Sequence, residues 1–165
     1  YDCLQPQYSL VCREIEREHV PLCREEGIGV IPWSPLAGGL LTGKLRRGAA
    51  APAGTRAAVD PMNRERFGAE RNLAIAETVI EVSKAAGKTA SQVALAWCAS
   101  QPGVTSPIFG ARTLEQLEDN LGAADLTLDE NARKKLEAVS ALPLVYPYDF
   151  HARVRGMMGG LKLDA

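Results

Sequence analysis

Apolar positions along the chain change their spacing several times, and each change marks an element. The run Gly29–Trp33 is continuous and β-branched, which predicts a buried strand. Before it, Val11–Glu26 places Ile15, His19 or Val20, and Leu22 or Cys23 between charged residues, the pattern of a solvent-facing helix. Gly27 stands where a helix C-cap belongs. Tyr1–Gln5 reads as the end of a further strand. Gly38–Asn63 has no periodicity and is rich in Gly, Ala, Pro and Arg, so a long loop is expected there.

Helical spacing returns over Arg71–Ala86, with Leu73, Ala76, Val79, Ile80 and Ser83 on one stripe and Gly87 at its end. Thr89-Ala-Ser-Gln92 is a capping-box pattern. It predicts a helix to about Ser100 that buries Val93, Leu95 or Ala96, and Trp97, and stops before Pro102-Gly103. Ser106–Gly110 predicts a short strand. Thr113-Leu-Glu-Gln116 is a second capping-box pattern and opens a helix to about Leu121. Thr127-Leu-Asp-Glu130 starts one more, to about Ser140. From Pro143 a tail is expected, holding Tyr146, Tyr148, His151, Arg153 and Arg155.

Strands that alternate with helices imply a parallel sheet of about three visible strands. Three parallel strands make neither a closed barrel nor a full open sheet. The chain begins with Tyr and enters at once what reads as a strand end, so a piece of something longer is expected.

Composition narrows the classes. At 165 residues, with 46% hydrophobic and 24% charged residues, the chain has globular values. A formal net charge of −1 gives no electrostatic case for nucleic acid or anionic lipid. No apolar run approaches a membrane span, and no signal-like segment opens the chain. Cys3, Cys12, Cys23 and Cys98 are scattered without metal-ligand spacing, which argues against zinc and for a reduced, cytoplasmic compartment.

Two constellations carry chemistry. In Trp33-Ser34-Pro35-Leu36, followed by Lys44, a strand end delivers a flat ring, a hydroxyl, a turn and a cation. A planar heterocycle joined to phosphate needs those groups. The same residues also suit a core Trp, a Pro-Gly turn and a surface lysine. In Pro107–Asn120, a strand runs into a helix N-terminus with Gly110 and Arg112 at the junction. Free N–H groups there attract anions, and an Arg fork suits a phosphate monoester. Gln116, Asp119 and Asn120 fall on one helical face, either toward a nucleotide or toward solvent.

Together the motifs resemble the aldo-keto reductases, in particular the bacterial general-stress and potassium-channel β-subunit-like branch. The resemblance rests on Gln5-Pro-Gln-Tyr8-Ser-Leu with Arg13, on Trp33-Ser-Pro-Leu-Ala-Gly-Gly-Leu-Leu-Thr-Gly-Lys44, and on Gly110-Ala-Arg-Thr-x-Glu-Gln-Leu-Glu-Asp-Asn-Leu-Gly122. It implies an α/β fold, the C-terminal portion (about strands 6–8 with their helices) of a (β/α)8 TIM barrel. Residues 1–142 would form the barrel portion and 143–165 a C-terminal tail. It implies NADPH/NADP+ as cofactor and a small carbonyl substrate.

By that resemblance Gln5 would contact the nicotinamide carboxamide and Trp33 would stack on its ring. Ser34, Pro35, Leu36, Ala37 and Gly38 would wrap the pyrophosphate with Lys44. Arg56 would belong to a loop folding over the cofactor. Gly110 and Arg112 would hold the 2′-phosphate side, and Gln116, Asp119 and Asn120 the adenosine end. The family's catalytic Tyr, Lys, Asp and His have no counterparts here, so no catalytic residue is assigned. Tyr1, Tyr8, Tyr146, Tyr148, His19 and His151 do not match the proton donor. The expected partner is the N-terminal half of the same protein. Without it, open strand edges and apolar faces predict aggregation, a molten state or self-association.

Overall fold

In the computed structural model, residues 1–45 and 47–157 are described. The remainder of the expected tail, 158–165, lies outside the described residues. Strands β1 (Cys3–Leu4) and β2 (Gly29–Val30) pair in parallel, with Cys3 opposite Gly29 and Leu4 opposite Val30. The pairing continues past both, because Trp33 N–H donates to the Pro6 carbonyl at 2.9 Å and Tyr8 N–H to the Trp33 carbonyl at 3.3 Å.

Ser106–Gly110 is not a regular strand. Its neighbourhood joins β2 through single bridges, Val30 with Val104 and Trp33 with Ile108, both parallel. Thr105 N–H donates to the Val30 carbonyl at 2.8 Å and Ile108 N–H to the Pro32 carbonyl at 2.7 Å. Pro107 between them has no N–H to give, which limits the ladder to these points. Three parallel segments therefore lie side by side with residues 29–33 in the middle.

The expected helix over Val11–Glu26 is divided. Ser9 and Cys12 close a tight turn through two mutual backbone bonds of 3.1 and 3.0 Å. A single 3₁₀ turn follows at Glu14–Glu16, and helix α1 runs only over His19–Glu25. Pro21 fits this arrangement, since it stands in the first turn of α1, where no N–H is needed. A helix continuous from Val11 would have put it in the interior. Val20 and Cys23 face the core. The helix closes at Gly27, beyond which Ile28 N–H reaches back to the Cys23 carbonyl at 2.7 Å.

The expected long loop is also more structured than its composition suggests. It contains 3₁₀ turns over Ala37–Thr42, helix α2 (Arg56–Val59) and helix α3 (Pro61–Phe67). Both short helices pack on the 3₁₀ segment, and Phe67 is buried in the main core.

Helix α4 (Glu70–Ala86) carries the expected stripe and buries Ile75 and Val82 besides. Helix α5 (Ala90–Ala99) starts at a complete capping box. Thr89 Oγ1 accepts from Gln92 N–H at 3.2 Å, and Gln92 Oε1 accepts from Thr89 N–H at 3.3 Å. Helix α6 (Leu114–Leu121) has half of one. Thr113 Oγ1 accepts from Gln116 N–H, but the Gln116 side chain caps Arg112 N–H instead. Helix α7 (Glu130–Ser140) is capped by Asp129. The core gathers Ile75 and Val79 of α4, Val93 and Trp97 of α5, Leu136 of α7 and Tyr8 and Leu10 from the turn after β1.

The segment after Pro143 is not an extended tail throughout. Tyr148–Met157 forms helix α8. Its first residue docks on the start of α1: the Tyr148 hydroxyl donates to Glu18, and the Arg17 guanidinium lies 5.4 Å from the Tyr148 ring centre. Arg17 Nη2 also donates to the Pro143 carbonyl at 2.9 Å. Among the described residues, no helix is long and apolar enough to cross a membrane.

A buried polar cluster ties the turn after β1 to α5 and α7. Arg13 donates to both carboxylate oxygens of Glu16 (2.7 and 2.9 Å) and to Ser140 Oγ at 2.6 Å, and pairs with Glu137 at 2.6 Å. The Tyr8 hydroxyl donates to Glu16 at 2.5 Å. Burial above all, then that bond to a carboxylate, pushes the Tyr8 phenol well above its ordinary range. Burial alone pushes the Cys98 thiol up to about 12 from 9.0.

Both raised groups fix the sign of alkaline sensitivity. The unfolded chain gives up these protons first, so stability is full below about pH 9 and falls as pH rises toward 12. The slope is about 1.4 kcal/mol per pH unit for each proton held only by the native state. Urea midpoints compared at pH 8 and pH 10.5 should drop, and Cys98→Ala should flatten the drop. A midpoint equal at both values would refute the burial argument.

Candidate cofactor site

The two constellations meet. The bridge between Trp33 and Ile108 sets the ends of two parallel segments next to one another, so Ser34 and Phe109 leave the sheet side by side. Trp33 emerges at the strand end with 39% of its surface exposed, although its neighbours Pro32 and Pro35 are buried. A half-exposed indole beside buried neighbours is not a core anchor.

The loop after Trp33 is tightly wound. Ser34 and Ala37 adopt φ of 58° and 48°, left-handed values that are uncommon without a glycine. Each costs on the order of 1 kcal/mol and persists only where the surroundings enforce it. Gly38 and Gly39 continue the kink at φ 63° and 101°. Ala37 N–H donates to the Ser34 carbonyl and Gly39 N–H to the Leu36 carbonyl, both at 2.9 Å. With Leu41 N–H, which reaches the Leu36 carbonyl at 3.3 Å, these amides are spent on the loop's own shape. Ala37 is fully buried, whereas Ser34, Leu36 and Gly38 are half-buried and line the turn. Lys44, Arg56 and Gln5 are exposed.

On the neighbouring segment, Gly110 is exposed, and a Cβ there would meet nothing within 4 Å. Open space therefore lies against the backbone where a ligand phosphate was expected. Arg112, also exposed, donates Nη2 to the Gly54 carbonyl at 2.7 Å. That bond draws the Gly-Ala-Pro-rich segment toward the start of α6.

The adenosine-end residues are less free than their spacing suggested. Asp119 Oδ2 accepts from Thr89 Oγ1 at 3.1 Å, and the Asp119 carbonyl accepts from Gln92 Nε2 at 2.9 Å. Gln116 Oε1 caps Arg112 N–H at 3.1 Å, and Asn120 is buried. Asp119 and Gln116 therefore hold α6 to α5 and to Arg112 as they stand.

Arg66 was not among the residues singled out from the sequence. Its guanidinium lies 5.7 Å from the Trp33 ring centre and 5.5 Å from that of Phe67, and it donates to the Gln7 side chain. No local pattern marks it, because the contact exists only once residues 61–67 pack on the 3₁₀ segment and bring Arg66 to Trp33.

Two of the four tyrosines have their phenols engaged elsewhere. Tyr8 is buried with its hydroxyl donating to Glu16, and Tyr148 is engaged with Glu18. Tyr1 and Tyr146 are exposed, and so are His19 and His151. Among the described residues no three His, Cys, Asp or Glu side chains gather as a metal site.

A model of the Aldo/keto reductase family matches residues 1–141. The chain belongs to the aldo/keto reductase family. That family's fold is the (β/α)8 barrel, and parallel strand ends alternating with helices are elements of it. The uncharacterized oxidoreductase YrpG of Bacillus subtilis is 39% identical over 137 residues, covering 82% of this chain and 39% of that protein. A probable voltage-gated potassium channel subunit beta of Arabidopsis thaliana is 37% identical over 130 residues, 74% of this chain and 38% of that protein. Probable aldo-keto reductase 1 of Glycine max is 38% identical over 140 residues, 82% of this chain and 39% of that protein. The chain thus spans about two fifths of the length of the relatives it matches.

Proposed function

We propose that this chain is the cofactor-holding C-terminal portion, about strands 6–8, of an NADPH-dependent reductase of aldehydes and ketones. Residues 1–142 are its barrel portion and 143–165 its C-terminal segment. The observation that carries the reading is the Trp33–Ile108 bridge, which sets the ring platform and the Gly110–Arg112 anion end at adjacent strand ends. Phosphate sites formed by the last two strand loops are a recurrent feature of such barrels. The exposed indole, the open space at Gly110 and the exposed Arg112 fork fit a flat ring joined to phosphates.

In this reading Trp33 orients the nicotinamide and Gln5 its carboxamide. Ser34, Leu36, Gly38 and Lys44 take the pyrophosphate, and buried Pro35 and Ala37 hold that loop in shape. Arg56 lies over the cofactor from the loop that follows Lys44, and Gly110 and Arg112 take the 2′-phosphate. Gln116, Asp119 and Asn120 reach the adenosine end, Asp119 after releasing Thr89. The nicotinamide supplies hydride when bound. A developing alkoxide also needs a proton donor, which this reading does not take from Tyr8 or Tyr148, engaged with Glu16 and Glu18. The donor belongs to the N-terminal half, the expected partner.

The experiment is an assay of this chain with NADPH and a reactive aldehyde, beside the full-length reductase. The chain should give background only and the full-length protein clear turnover. Turnover by the chain that is lost on replacing one of its own tyrosines would overturn the assignment.

A second reading, a nucleotide-binding regulatory module, is favoured by the relatives named as potassium channel β-subunits in Arabidopsis thaliana and Oryza sativa. It separates from the first by whether the full-length protein turns over an aldehyde at all.

A further inference from the structure

We infer that Arg66 is a latch that competes with the nicotinamide for the Trp33 ring, a proposal that rests on the reading of Trp33 as the ring platform. The guanidinium is planar and cationic, and stacks on aromatic faces much as a flat heterocycle does. It is held over the indole by two further ties. Its donated bond to Gln7 fixes it beside the strand that pairs with Trp33. The next residue, Phe67, is buried in the core and pins the end of α3.

The far end of the same segment is tied by Arg112 through the Gly54 carbonyl. Residues 54–67 therefore form a strap with an arginine bond at each end, one at the ring platform and one at the anion site. Trp33 and Arg112 are both engaged with the strap before the cofactor arrives. Two flat groups cannot stack on one indole face at once. The binding-competent form is then the fraction in which Arg66 has swung off, and the apparent affinity is lowered by that fraction.

This predicts an effect opposite in sign to ordinary electrostatics. A surface arginine that merely attracts phosphates strengthens NADPH binding, and its loss weakens it. Loss of the latch tightens it. From the usual strength of an exposed cation–π contact, Arg66→Ala should bind NADPH about 2- to 5-fold more tightly and associate faster.

Titration and stopped-flow binding of NADPH to the wild type, Arg66→Ala and Arg66→Lys read this directly. Acrylamide quenching without cofactor reads the shielding of Trp33, since Trp97 is fully buried. Trp33→Phe assigns the signal. More quenching and tighter NADPH binding in Arg66→Ala is the expected result, with Arg66→Lys keeping the charge but behaving like the alanine variant. Binding that is weaker or unchanged in Arg66→Ala, while the wild type binds NADPH, overturns the latch alone. NADPH binding by neither protein overturns the cofactor reading and the competition with it.

Discussion

Trp97→Ala is expected to cost about 3–5 kcal/mol of stability, the range for removing a buried aromatic side chain. That is a large part of what a domain of this size has. The indole is fully buried on α5 and touches two other parts of the fold, the turn after β1 and α7. The Tyr8 ring lies 5.5 Å away at 36°, the Arg13 guanidinium is 5.1 Å from its centre, and Nε1 donates to Glu137 Oε1 at 2.9 Å. Truncation leaves a cavity between the turn after β1, α5 and α7. It also strips one wall from Arg13, whose charge is compensated by Glu16 and Glu137 inside that cluster.

Trp97→Phe separates volume from hydrogen bonding. Glu137 keeps Arg13 and a contact from Gln101 Nε2 at 3.3 Å, so its carboxylate is not orphaned when the indole N–H is lost. The phenylalanine variant should therefore cost only about 1–2 kcal/mol. Urea denaturation of both variants checks the argument. A loss under about 1 kcal/mol for Trp97→Ala, or equal losses for the two, would show that the cluster does not anchor the core. Absence of a cooperative transition in Trp97→Ala is the extreme of the expected outcome, and Trp97→Phe still supplies a measurable value.

The same cluster explains where sequence and structure part. The Thr89–Gln92 box was legible because both partners lie three residues apart, and the bonds each also makes to Asp119 leave it intact. The 3.6-residue stripe of α4 was legible for the same reason. Ile75 and Val82 lay off it, because α4 is covered on more than one side, by α5, by α7 and by the 3₁₀ segment after β2. The division of Val11–Glu26 was not legible. Arg13 reads as a solvent-facing helical charge until Glu137 and Ser140 arrive from the other end of the chain and draw it inward.

The site follows this rule too. Trp33 and Arg112 could be singled out because strand ends and helix starts are marked locally. That Asp119 turns toward Thr89 was not legible, since spacing on α6 says which residues share a face but not what the face meets. Ser34 and Ala37 in left-handed conformation carry no signal in residue type. Only the bridge to Ile108, itself a long-range contact, makes one site of two motifs.

Arg112→Ala should weaken NADPH binding by about 1–3 kcal/mol, the worth of a charge-assisted hydrogen bond, and leave NADH nearly unchanged. The side chain is exposed ahead of α6, whose first N–H groups favour an anion at the same place. Among the described residues its guanidinium donates to a neutral carbonyl, that of Gly54. A 2′-phosphate offers the fork two charged oxygens, so exchange of one for the other is favourable. Dissociation constants for the two nucleotides, measured on the wild type and the variant at one fixed salt concentration, decide between two roles. If Arg112 reads the phosphate, the ratio of NADPH to NADH affinity collapses. If it only tethers the strap through Gly54, both affinities shift by the same factor and the ratio stands, which would refute the phosphate role while leaving Trp33 as the ring platform.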